Sequence, residues 1–399
     1  MAQQAPQRYA NIIPMKELDT VEKRLSPFQV MEQLRRATPV RYDPDRDCWD
    51  VFHYEDVHSI LKNTTVFSSK RAIAEKVESL LTMDPPKHSQ MRSLVNKAFT
   101  PKKVNDLTPR IIDITNELLE DVKASNQLDI VRDLAGPLPV IVIAEMLGIP
   151  SNDRMLFKEW SDVLVKGPEV NTDEAYEAIL KEREQTIGKL AAYFQNIIRE
   201  RGNKQQDDLI SLLLQAEVDG QKLREEEVLS FCILLLVAGN ETTTNLIANS
   251  VRYMTEDIQL QDLLRKHPDK LTDAVEEFLR FYPPIQAIGR VTTQDTVIRE
   301  QQIQEGAQVI NWVISANRDE DKFENPGVFN PDRKPNPHIS FGFGIHFCLG
   351  APLARLEGKI ALEILLSRYQ QIALKEGEAL IPIPSPFVFG VKKLPVTVQ

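Results

Sequence analysis

Cysteine is scarce in this chain of 399 residues: Cys48, Cys232 and Cys348 are all it has. An odd, widely spaced set builds no disulfide framework, so a reducing, cytoplasmic setting is expected. Long apolar runs are also missing. The longest, Phe231–Ala238, is far shorter than the roughly 20 residues a bilayer-spanning helix needs, and is expected to lie in a core. Met1–Pro14 lacks the apolar stretch of a signal peptide, so no membrane anchor is expected. Positive charge is in deficit: 48 Lys and Arg face 58 Asp and Glu, giving a net charge of −10. That balance argues against nucleic acid or an anionic membrane as the main partner. No internal repeat, low-complexity tract, flavin motif or iron–sulfur motif occurs.

Hydrophobic residues make up 42% and charged residues 27%, enough for a large core under a well-solvated surface. Helical spacing of apolar residues dominates, as in Ile111, Ile112, Leu118 and Leu119, and in Leu190, Phe194, Ile197 and Ile198. Strands are expected at Trp49–Phe52, at Gln308–Val313 after a hairpin turn at Glu305–Gly306, and in the proline- and β-branched-rich tail Ile381–Val398. Polar breaks at Lys166–Asp173 and Gly202–Asp208 are too short for domain linkers. The expected architecture is one mainly α domain over residues 1–399, with small β-sheets at one side and a short N-terminal extension to about residue 15.

The densest motif is Phe341-Gly342-Phe343-Gly344-Ile345-His346-Phe347-Cys348-Leu349-Gly350. Its glycines allow a tight turn and close approach to a flat ligand. Helical spacing follows in Leu353, Leu356, Ile360 and Ile364, with Pro352 suited to a first helical turn. Cys348 therefore stands at a helix N-terminus, where free N–H groups favour a thiolate. A lone cysteine is more often a small buried hydrophobe, which is the reading for Cys48 and Cys232. A zinc pair of His346 and Cys348 lacks further ligands at the required spacing.

The whole loop resembles the haem-binding signature of the cytochrome P-450 family, for which thiolate ligation of haem is the known property. The resemblance runs from about Arg41 to the C-terminus and is nearest to soluble bacterial members. Phe343 stands where a polar or basic residue is common. The resemblance implies the cytochrome P-450 fold, with haem b (iron protoporphyrin IX) between a long oxygen-binding helix and the cysteine-loop helix. Cys348 would be the iron ligand, flanked by Phe341 and Gly350.

Three further motifs carry ordinary readings beside the one the family implies. Glu277 and Arg280 are one helical turn apart, a spacing that by itself suggests a weak surface pair. Asp273 and Glu276 have capping-box spacing, which predicts a helix start at Asp273. In the family the E-x-x-R pair is buried and joined by an arginine, matched here by Arg333. Ala238-Gly239-Asn240-Glu241-Thr242 interrupts the apolar run with small, acidic and hydroxyl residues. A helix end or a kink relieved by threonine hydroxyls would explain it. The resemblance implies instead that Ala238 and Gly239 leave room for dioxygen and that Glu241 and Thr242 deliver protons. Asp84-Pro85-Pro86 suits a helix start, with His88 and Arg92 facing one way. A solvated basic face is the plain reading; the family makes His88, Arg92, Arg290 and His346 partners of the haem propionates.

The implied function is a haem-thiolate monooxygenase that hydroxylates a lipophilic steroid, terpenoid or fatty acid. The family places Leu234, Val237, Ile285, Ala287, Phe387 and Val388 against the substrate, with variable lids at Ser68–Thr82 and near Gly167. Electrons would come from a ferredoxin or flavodoxin with its NAD(P)H-dependent reductase, docking on Lys97, Lys102, Lys103 and Arg110. A cytoplasmic monomer is expected. A peroxide-driven peroxygenase and a non-catalytic haem sensor are the rival readings; both sit poorly with an intact acid–alcohol pair.

Overall fold

The computed structural model describes residues 14–70, 79–97, 99–120, 126–165, 173–218 and 220–399. Most of the expected N-terminal extension, residues 71–78 of the first expected lid and residues 166–172 of the second lie outside that set. The protein is mainly helical, with two larger sheets and two small hairpins among the described residues.

The centre is a 32-residue helix, Glu225–Glu256, here called the long helix. Glu225, Glu226 and Glu227 fill its first turn, where the helix dipole favours negative charge. Glu227 also accepts from the Arg224 backbone N–H at 3.0 Å. The apolar run Phe231–Ala238 lies inside this helix, so neither a helix end nor a break accounts for the small residues that follow. By length and composition it is the one described helix able to cross a membrane, but most of it is buried inside the protein. Its buried side chains pack against helices Pro137–Met146, Asp173–Asn203 and Ala351–Arg368. Leu234, Val237, Ala238, Glu241 and Thr242 are only half-buried and share one helical face.

The cysteine-loop helix, Ala351–Arg368, has proline in its first turn and buries Leu353, Ile360, Ala361 and Leu365. It crosses the long helix closely: a Cβ on Gly358 would meet Leu246 at 3.0 Å. The E-x-x-R helix spans Leu271–Phe281 and starts two residues before the expected cap. Asp273 lies within its first turn and pairs with Lys334 at 2.9 Å instead of capping. Glu276 is drawn to His338 and Arg355, so no capping box forms.

In the five-stranded sheet, Val40–Asp43 pairs antiparallel with Cys48–Val51, which runs parallel to Gln308–Asn311. Gln308–Asn311 then pairs antiparallel with Ile288–Thr292, which pairs with Phe67–Ser68. Glu305–Gly306 therefore does not join two neighbouring strands of one hairpin. The hairpin is the intervening Thr296–Ile298 with Gln301–Ile303, and the chain returns to the earlier strand. The strand at Gln308 also ends at Asn311, because Val313–Ala316 turns helical. The tail contributes Pro395–Val398 to a three-stranded sheet with Ile372–Leu374 and Gln127–Asp129. Cys48 and Cys232 are fully buried thiols in apolar clusters, and burial pushes both upward in pKa.

Candidate active site

The cysteine loop is held in an open conformation by two glycines with left-handed backbones, Gly342 at φ 71° and Gly344 at φ 72°. At Gly344 a Cβ would also approach the Leu61 carbonyl oxygen at 3.1 Å. The Cys348 N–H donates to the Phe341 carbonyl at 2.9 Å and closes the loop. Phe347 and Ile345 remain 40% and 37% exposed.

Cys348 itself is half-buried. Burial pushes its thiol upward in pKa. The backbone N–H groups of Gly350 and Ala351 and the charges of Arg92 and Arg355 oppose this. The helix-start position thus favours the thiolate as expected, yet burial outweighs it in the protein alone. A metal ion at the sulfur would reverse that balance, since a coordinating thiol is deprotonated outright.

Four cationic or imidazole groups converge beside this loop. His88 and Arg92 lie on helix Lys87–Asn96, whose N-cap is Pro86. The His88 ring stands 4.2 Å from that of His346, and Arg92 donates to the Phe347 carbonyl at 2.7 Å. Arg290, on strand Ile288–Thr292, is nearly buried and its charge acts on His346. Burial first, then Arg290 and His88, drive His346 down to about 3. It is therefore a neutral ring in the protein alone, hydrogen-bonded to Ser69 Oγ at 2.9 Å, rather than the cation the family pattern suggests. His88 is also pushed down by burial and by Arg92. Both His88 ring nitrogens are buried with no hydrogen-bond partner among the described residues. Such orphans are costly unless an acceptor completes them. A flat group carrying carboxylates, with a metal at its centre for the sulfur, fits this donor set.

On the long helix, the Thr242 hydroxyl donates to the Ala238 carbonyl at 2.8 Å. Glu241 accepts from Asn245 Nδ2 at 3.0 Å, and the same amide reaches the Glu241 carbonyl at 2.7 Å. Burial raises the Glu241 pKa; the Asn245 bond opposes this, Asp162 adds to it and Lys158 counters. Asn240, by contrast, points away to Ser161 Oγ at 2.6 Å and accepts from Thr244 at 3.3 Å. Gly239 has its own steric reason: a Cβ there would meet Ile143 at 3.2 Å.

Glu277 is the hub of the support behind the loop. Arg280 binds it at 2.7 and 2.8 Å, Arg333 Nε at 3.2 Å to each oxygen, Asn336 at 3.1 Å and the Asn330 N–H at 2.9 Å. The neighbouring Glu276 binds His338 at 3.1 Å and Arg355 at 2.6 and 2.8 Å. Those bonds overcome its burial and lower it to about 2. Arg355 lies 4.5 Å over the Phe341 ring. The Glu-Glu dipeptide was the only sequence signal for this second cluster.

A match to the cytochrome P450 family covers residues 21–399. The chain belongs to the cytochrome P450 family. It is 55% identical to cytochrome P450 109 of Bacillus spizizenii over 393 residues, covering 98% of this chain and 96% of that protein. It is 40% identical to the erythromycin C-12 hydroxylase of Saccharopolyspora erythraea, covering 91% and 92% of the two chains. The crystal structure of CYP109E1 from Bacillus megaterium with testosterone superposes with a TM-score of 0.90 at 45% identity, covering 95% of this chain and 99% of that one. As a cytochrome P450 the protein is a haem-dependent monooxygenase with the family's fold.

The remaining expected pocket residues are unequal. Ile285, Phe387 and Val388 are half-buried, and Ile285 forms a β-bridge with Val388. Ala287 is more enclosed: its side chain is 2% exposed, in the buried cluster that holds Met15, Phe52 and Trp312 and against which Phe387 packs. The expected docking patch also shrinks, because Arg110 is spent on Glu145 at 2.9 Å and Glu117 at 2.9 Å. Lys97 donates to the Glu217 carbonyl, while Lys102 and Lys103 are exposed at the start of helix Pro101–Asp106.

Proposed function

We propose that this cytochrome P450, acting as a single cytoplasmic domain, hydroxylates a steroid-class substrate with electrons from a separate ferredoxin or flavodoxin and its reductase. The observation that carries the site assignment is the orphaned His88 ring beside His346 and Arg92. Haem b would be held by the Cys348 thiolate, with Phe341 and Gly350 framing the sulfur. His88, Arg92, Arg290 and His346 would bind its two carboxylates through charge-assisted hydrogen bonds. Bound haem supplies dioxygen activation and insertion of one oxygen atom into a C–H bond, with the thiolate favouring O–O cleavage.

The chain's own residues position substrate and move protons. Ala238 keeps the long helix narrow beside Thr242. Glu241, held by Asn245 and raised toward neutrality by burial, exchanges protons with solvent. Thr242 passes them inward once its hydroxyl leaves the Ala238 carbonyl. Leu234 and Val237 on the half-buried stripe, with Ile285, Phe387 and Val388, offer apolar contact to a lipophilic molecule.

The steroid class is favoured over terpenoid or fatty acid because one relative of 45% identity, CYP109E1, was crystallised both with testosterone and with corticosterone. Titrating the haem-loaded protein with testosterone, a terpenoid and laurate, with the iron spin state as readout, tests it. A saturable spin shift is expected with testosterone. A shift with laurate or the terpenoid alone would overturn the substrate class.

A further inference from the structure

Gln286 is buried at 7% exposure between two segments that border the proposed substrate space. Its Nε2 faces three backbone carbonyls of one turn: Ser385 at 3.3 Å, Pro386 at 3.1 Å and Val388 at 3.5 Å. An amide has two N–H groups, so three acceptors surround two donors. The side chain therefore sits at the centre of the turn, not at its rim. Its backbone joins the same clasp. The Gln286 N–H donates to the Phe387 carbonyl at 2.7 Å, the Phe389 N–H to Pro284 at 2.9 Å, and Ile285 bridges Val388.

The opposite side of the turn is fixed to the long helix. Asn249 Nδ2 donates to the Phe389 carbonyl at 2.9 Å. A Cβ on Gly390 would fall 1.8 Å from Asn245 Oδ1, so the turn lies hard against the residue that holds Glu241. Ser385 Oγ accepts from the Phe387 and Val388 N–H groups at 3.2 and 3.1 Å and stiffens the turn from within.

We infer that Gln286 is a specificity-determining positioning residue: by gathering the carbonyls of Ser385–Val388 it sets how far Phe387 and Val388 stand from Ile285 and from the middle of the long helix at Glu241. It touches no reacting atom. This rests on the pocket assignment above. Gln286→Met keeps the side chain's length and removes both donors, leaving three carbonyls to find other partners. Gln286→Glu adds a charge that those carbonyls repel. Either change lets the turn relax and widens the space against Ile285.

The test uses haem-loaded enzyme and two iron-binding probes, imidazole and 4-phenylimidazole, which report wall position whatever the natural substrate is. For Gln286→Met the ratio of the two dissociation constants should shift about tenfold. The reduced carbon monoxide spectrum and imidazole affinity should stay as in wild type. Ser385→Ala loosens the same turn from within, leaves the Gln286 side chain in place, and should move the ratio the same way. If testosterone gives a spin shift, its product distribution should broaden in both variants. An unchanged probe ratio in both variants overturns the inference. Absence of any testosterone response in wild type, with the probe ratio shifting as stated, overturns only the steroid class.

Discussion

Arg280 clasps Glu277 through two parallel N–H···O bonds of 2.7 and 2.8 Å, with neither side chain exposed. The guanidinium also donates to the carbonyls of Asn317, Pro326 and Val328, so it ties two chain segments to one helix. Arg280→Ala leaves Glu277 buried with only Arg333 as a charged partner. The expected cost is about 3–5 kcal/mol, the range for breaking one side of a buried pair. It should show as lost haem incorporation and a lowered unfolding midpoint. Holoprotein of normal yield and stability would mean the clasp is dispensable.

Glu357 lies in the cysteine-loop helix, 1% exposed, with Oε2 unpartnered, and burial raises it to about 8 from an ordinary value of 4.5. The folded protein thus holds a proton that the unfolded chain releases. Its contribution to stability is fully present below about pH 4.5 and is lost as pH rises through about 8. The slope is at most roughly 1.4 kcal/mol per pH unit. Glu357→Gln should flatten the fall in denaturation midpoint across this window and stabilise the protein at its alkaline end. Parallel pH profiles for wild type and variant would show that the carboxyl finds a partner.

Lys102 and Lys103 are exposed cations of the basic patch, whereas Arg110 is paired with Glu145 and Glu117. Replacing both by glutamine should slow reduction by an acidic ferredoxin several-fold at low salt and flatten its ionic-strength dependence, since rim charges act mainly on association. Arg110→Gln should do neither. Stopped-flow reduction at several salt concentrations measures both, and equal salt dependence in all three proteins would place docking elsewhere.

Thr242 donates to the Ala238 carbonyl, the bond that a purely structural hydroxyl would make. The proton-delivery role therefore has to be read from turnover. Thr242→Ala should keep haem content and ligand affinity while NAD(P)H consumption continues, product falls and hydrogen peroxide rises. Measuring product against NAD(P)H consumed separates the roles; an unchanged ratio reduces Thr242 to a helix hydroxyl.

Much of the architecture was legible because it follows from local rules. The apolar run Phe231–Ala238, the periodicity after Cys348 and the strand at Cys48–Val51 need only spacing and composition. What stayed hidden depends on distant partners. Gln308–Asn311 pairs with a strand some 260 residues earlier in the chain and with Ile288–Thr292, not with its nearest neighbour. Asp273 looked like a cap, but helix Leu271–Phe281 begins earlier and Lys334 takes the carboxylate. Ala287 is buried and Ile285 half-buried, a difference that strand alternation does not produce, since residues two apart share a face. Asn245, Asn249 and Gln286 carry no motif. Their work is to bond backbone carbonyls of other residues, which only the fold brings near.

Every other proposed role depends on Cys348 being the haem ligand. The N–H groups of Gly350 and Ala351 favour its thiolate, and burial opposes it, so ligation to a metal is what would tip the balance. The most direct measurement is the absorption spectrum of the reduced carbon monoxide complex for wild type and for Cys348→Ser, with Cys48→Ser and Cys232→Ser as controls. Wild type and both controls should show the strongly red-shifted Soret band of a thiolate-ligated haem, and Cys348→Ser should lose it. A Cys348→Ser protein that keeps that band would contradict the assignment.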